Sequence, residues 1–134
     1  MKQQFQQRSL RFGWVSLCVW SLLGVSLEAA HAFKWASFFE DELARLLVRL
    51  AHAHGVGMAL VVLAHAATAA GMIPGRFLRA GAALIPLGFL LGAIGHPEGD
   101  PSFGILLAPL GALLFLVDLV RIAWKSCRND TVDR

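Results

Sequence analysis

Long apolar runs most limit what this chain can fold into. They cover residues 12–27, 50–72, 80–94 and 103–124, with short polar segments between them. A helix needs about 20 mostly apolar residues to cross the hydrocarbon core, and runs of this kind read as membrane spans. Only 16% of the residues are charged and 57% are hydrophobic, against roughly 25% charged in soluble domains. No alternation long enough for a barrel strand occurs, and Ala, Leu and Gly dominate. The expected fold is all-α, an integral membrane four-helix bundle forming one transmembrane domain over 1–134. The spans are expected at 12–33, 50–72, 80–95 and 103–124, followed by a disordered cytoplasmic tail at 125–134.

The first run has a second reading. Lys2, Arg8 and Arg11 precede it, and Ala30-His31-Ala32 follows Glu28. A basic start, an apolar middle and an A-x-A site form the pattern of a secretory signal. The run is short for a span unless 29–33 extends it. An uncleaved span and a cleaved signal, which would leave three spans, both stay open. Cys18 does not suit a lipoprotein site, because Leu17 stands where a small residue is needed. Cys18 and Cys127 fall in different compartments, so no disulfide is expected.

The connectors carry the punctuation. Trp35, Phe38 and Phe39 suit an interfacial anchor. Glu40, Asp41 and Glu42 open the second helix, where acids favour the helix dipole. Pro74-Gly75 ends it, and His96 to Ser102 forms a turn cluster. Pro86 and Pro109 are expected to kink the third and fourth spans. Basic residues before the first span, at Arg76 and Arg79, and at Arg121, Lys125 and Arg128 place both termini in the cytoplasm of a bacterial-type inner membrane. Arg45 and Arg49 oppose this, but Asp41 and Glu42 lie within a turn of them. Topology accounts for the net charge of +3, so nucleic acid is not an expected partner. The lipid bilayer is, together with a second copy or a larger membrane complex. Gly88, Gly92, Gly104 and Gly111 are candidate sites of close helix packing.

Ionisable groups within the spans mark candidate sites, because a bilayer makes them costly. The second span carries His52, His54 and His65. His54 and His65 are eleven residues apart, which separates them by about 16 Å along the axis and only about 20° around it. They cannot share one ion. For His54 the nearest partners by topology are His96, Glu98 and Asp100. His52 points about 160° away from His54, with Arg45 and Arg49. Haem or a transition metal would take His54 and His96 first, then His52. The plainer reading makes these histidines interhelical hydrogen-bonding groups. His65 and Asp118 both lie roughly 22 Å below the outer boundary, which makes them a candidate polar pair or proton relay. Asp118 could instead pair with Arg121 one turn later. No Gly-x-Ser-x-Gly, Walker, His-Glu-x-x-His or Gly-x-Gly-x-x-Gly motif is present, and no enzyme activity is expected.

His52-Ala53-His54-Gly55 in a span, with glycine-rich spans after it, resembles the histidine-bearing helices of membrane b-type haem proteins and haem–copper oxidase subunits. It is also similar to small four-span bacterial membrane proteins of unknown function. The resemblance covers one helix. It implies a haem b or metal site at His54. It implies no oxidase activity, because the several further histidine helices of that core are missing. The leading expectation is a non-enzymatic membrane module with such a site. The alternatives are a small proton-coupled transporter using His65 and Asp118, or an assembly subunit that uses the glycines for contacts.

Overall fold

A computed structural model describes residues 2–36, 40–69 and 73–129. These form four helices: α1 Lys2–Ala32, α2 Glu42–Thr68, α3 Arg76–Gly92 and α4 Leu107–Asn129. A single 3-10 turn, Phe103–Leu106, leads into α4. Three stretches, Gln3–Ala32, Glu42–Thr68 and Phe103–Arg128, are long and apolar enough to cross a membrane. α3 is not one of them. Its 17 residues rise about 26 Å, short of a core about 30 Å thick. The anchors Phe38 and Phe39, the Met72 end of the second span and residues 130–134 lie outside the described residues.

Several boundaries differ from expectation, each for a local reason. α1 begins near Lys2, ten residues before the apolar run. Its glutamines are good helix formers, and Gln6 donates to the Ala66 carbonyl at 3.1 Å. α1 ends in a Schellman turn: Trp35 N–H reaches Ala30 O, Lys34 N–H reaches His31 O, and Lys34 takes φ +50°. Asp41 caps α2 by accepting from Ala44 N–H at 2.8 Å. α3 starts a turn earlier than expected, directly after Gly75 at φ +64°. It stops at Gly92, where Ser102 folds back to bond Gly92 O and Leu91 O. Residues 125–129, expected to be disordered, continue α4. Lys125 and Arg128 there complement the C-terminal end of the dipole.

Each helix packs antiparallel on the next, making an up-down row with α3 between α2 and α4. α1 lies outside α2 and meets α3 only briefly. The core joins Val62 of α2, Leu78, Ala82 and Ile85 of α3, and Phe115 of α4. Reciprocal large-on-small contacts lock α1 to α2: the Trp20 ring covers Gly55, and the His52 ring covers Gly24. α3 and α4 close in the same way. A Cβ on Gly88 would strike the Ala108 backbone, one on Gly104 would lie 2.6 Å from Leu91 Cβ, and one on Gly111 2.8 Å from Leu84 Cβ. Gly92 faces Ile105 at 3.2 Å by the same measure. These four glycines are therefore used inside the α3–α4 hairpin.

Candidate functional site

Among the described residues the buried polar side chains Ser9, His65 and Asp118 surround the turn from Ile73 to Arg79. α3 begins there with Gly75 as its cap residue and no side-chain cap bond, so its first N–H groups need acceptors from elsewhere. Asp118 of α4 supplies one. Its Oδ2 accepts from Phe77 N–H at 2.9 Å and Leu78 N–H at 3.0 Å, and its Oδ1 from Arg121 at 3.4 Å. The carboxylate is 1% exposed. Two backbone donors, a helix N-terminus and an arginine make that burial tolerable.

His65 holds the other side of the same turn. A carbonyl can only accept, so Nε2–H donates to Ile73 O at 3.0 Å. Nδ1 is then the bare nitrogen, buried and without a hydrogen bond among the described residues. A proton there would find no acceptor, so the geometry suits a neutral imidazole. The ring lies on Gly75, where any Cβ would collide with it. Glycine is thus required at this position twice over, by backbone angle and by contact. Arg79 completes the latch, donating to Pro74 O at 2.9 Å and to the buried Ser9 hydroxyl of α1 at 2.8 Å.

The expected His65–Asp118 pair is corrected by these bonds. Both side chains reach the same turn, but each bonds backbone of the turn instead of the other. α3 runs between the helices that carry them. The local Asp118–Arg121 pairing is present. Ser9 and Arg79 were not singled out from sequence. A serine in a polar N-terminal stretch carries no sign of burial, and Arg79 reads as an ordinary topogenic charge.

At the opposite end, His96 does not join His54. Its Nδ1 faces Pro97 O at 2.9 Å and its Nε2 faces Asp41 Oδ2 at 2.8 Å. Both partners are acceptors, so the imidazolium satisfies both contacts. The Pro97 carbonyl, and then Asp41, hold the His96 pKa above its ordinary 6.5. Ala44 N–H, with His96 adding to it, holds the Asp41 carboxyl below 3.8. The His96 contribution is full below 6.5 and is lost as pH climbs through the raised value. That of Asp41 is full above 3.8 and is lost as pH falls through the lowered one. The loop-to-α2 clamp is therefore firmest on the acid side of neutrality. An NMR titration of the His96 ring should give a midpoint above 6.5, falling toward the ordinary value in Asp41→Asn. A wild-type midpoint at or below 6.5 would remove the clamp.

His52 and His54 part company as their directions require. His52 donates from Nδ1 to Trp20 O at 2.8 Å. It also lines a cleft of about 710 Å³ between α1 and α2 with Glu28, His31 and Arg49. His31, given no role from sequence, thus shares a wall with His52. His54 donates from Nδ1 to its own helix at Leu50 O, 2.9 Å away, and its ring lies 4.8 Å from that of Phe89. His54 lines an apolar groove of about 590 Å³, in which α2 and α4 part over α3; Met58, Ile85, Phe89, Pro109 and Phe115 are among its other walls. Among the described residues no group of three or more His, Cys, Asp or Glu gathers at metal-ligand spacing. No family model matches this chain, and neither the curated proteins nor the solved structures contain a match to it.

Proposed function

We propose that this chain is a multi-pass protein of a bacterial-type inner membrane, with both termini cytoplasmic, acting as a non-catalytic module that holds haem b at His54. The retained N-terminal helix and α3 are the first and third crossings in this reading. Packing of α1 into the row supports its retention. The ends of the helices support the orientation: Arg8, Arg11, Arg76, Arg79, Arg121 and Lys125 lie at one end, and at the other Glu28, Glu40, Asp41, Glu42, Glu98 and Asp100 outnumber Lys34, Arg45 and Arg49. A reporter fused after Arg134 should read cytoplasmic, and one inserted at Gly99 external. An external C-terminal reporter would sink this orientation.

One observation carries the haem reading. The bond from His54 Nδ1–H to Leu50 O fixes the tautomer whose Nε2 lone pair is available as a ligand. The groove beside it is apolar and within the usual size of a ligand pocket. A bare metal ion would need several protein donors, whereas a haem would need as few as one imidazole from the protein. His54 would hold the group, and Phe89, Ile85 and Phe115 would supply apolar contact. Bound haem would supply redox or gas-binding chemistry. Titrating the detergent-purified protein with haemin should give a saturable Soret band. His54→Ala should weaken binding by roughly a hundredfold or more, since even the outer partners of a ligand are worth 10–100-fold. His96→Ala should leave it unchanged. A band that persists unaltered in His54→Ala rules out this site.

A further inference from the structure

We infer that the cavity between the 73–74 turn and α4 is a binding site for the phosphate group of an anionic phospholipid. The inference rests on the membrane placement above and is independent of the haem site. Ile73, Pro74, Val120, Arg121, Trp124 and Lys125 line about 450 Å³ here, at the basic end of the row. Arg121 and Lys125 are four residues apart and so lie one turn apart on the same face of α4. Trp124 between them suits the headgroup level, where amphipathic rings concentrate. Val120 and Ile73 give the same cavity an apolar side fit for glycerol and upper acyl carbons.

The polar chemistry of the walls favours an anion. The carbonyls of both turn residues are engaged inside the protein, Ile73 O by His65 and Pro74 O by Arg79. The turn therefore offers the cavity little acceptor character. Among the described residues the carboxylate bonded to Arg121 is Asp118, and it is already bonded by two α3 N–H groups. It accepts from Arg121 through a single nitrogen, Nη1, at 3.4 Å. The Arg121 guanidinium also lies 5.6 Å from the centre of the Phe77 ring, which sets its direction. Its side chain remains 56% exposed. An oriented, partly solvated guanidinium beside an ammonium suits a phosphodiester, which accepts paired N–H donors.

The test uses the full chain, extracted in mild detergent and examined by native mass spectrometry after incubation with phosphatidylglycerol, phosphatidylcholine or inorganic phosphate. Phosphatidylglycerol should be retained in preference to phosphatidylcholine. Arg121→Gln and Lys125→Gln should each lower retention about fivefold, the worth of one basic residue at an anionic surface. Lys125→Gln leaves the Asp118 contact untouched, so it reports on the site even if Arg121→Gln weakens the fold. The double variant Arg8→Gln/Arg11→Gln, at the same end on α1, should retain lipid as the wild type does. Equal loss in that control would mean a diffuse basic belt and overturn the site. Unchanged retention in Lys125→Gln, or binding of inorganic phosphate that displaces the lipid, would overturn it as well. Extraction without detergent would instead contradict the membrane placement itself.

Discussion

Asp118→Ala should destabilise the protein by about 3 kcal/mol, the largest loss from removing one side chain. Phe77 N–H and Leu78 N–H would lose their acceptor, and Arg121 its carboxylate. A buried donor left without a partner costs about 1–3 kcal/mol. The first turn of α3 would also lose the only side-chain carboxylate that reaches it among the described residues. Asp118→Asn keeps an acceptor oxygen of the same shape and forfeits the charge, so about half of that loss is expected. Reversible unfolding in mixed micelles, followed by helical circular dichroism, gives both values. Asn and Ala variants of equal, near-wild-type stability would show that the carboxylate is not a cap. On the capping reading, a variant that keeps the acceptor keeps most of the structure.

Gly88→Ala should cost about 1–2 kcal/mol net, although alanine is the better helix former. The added methyl would meet the Ala108 backbone, which cannot give way unless α4 moves as a whole. Overpacking of this kind costs about 1–3 kcal/mol, and it exceeds the propensity gain of about 1 kcal/mol. Gly88→Leu should open the α3–α4 hairpin and, with it, the groove beside His54. Gly57 is the internal comparison. A Cβ there meets nothing within 4 Å, so Gly57→Ala should stabilise by about 0.5–1 kcal/mol. Thermal unfolding of the two alanine variants side by side tests this. A stabilising shift in both would mean that propensity, and not helix approach, governs these positions.

Much of the frame is legible in the residues because it depends on local chemistry. Apolar runs made the helices, Asp41 capped α2 as an acid at a helix start should, and Pro74-Gly75 directly preceded the start of α3, whereas α2 ended earlier, at Thr68. The candidate site was legible in depth but not in direction. Counting residues put His65 and Asp118 at one level, and both do reach the same turn. Which partner each takes depends on the order of helices across the row, and no periodicity within a helix encodes that order. α3 lies between their helices, so the nearest polar groups are backbone atoms of its first turn. One sequence sign of this existed: α3 starts at Gly75 without a Ser, Thr, Asn or Asp cap, so its N–H groups must look for a distant acceptor. His54 and His96 diverged for a similar reason. The loop that carries His96 folds back on the α2 cap, where a carboxylate at 2.8 Å is a better partner for an imidazole than a neutral ring. Helix content, ends and charge placement were thus set by sequence-local forces. Apart from the local Asp118–Arg121 pairing, the partners of the buried polar groups were decided by tertiary packing, because a buried donor or acceptor bonds whatever the fold brings within reach.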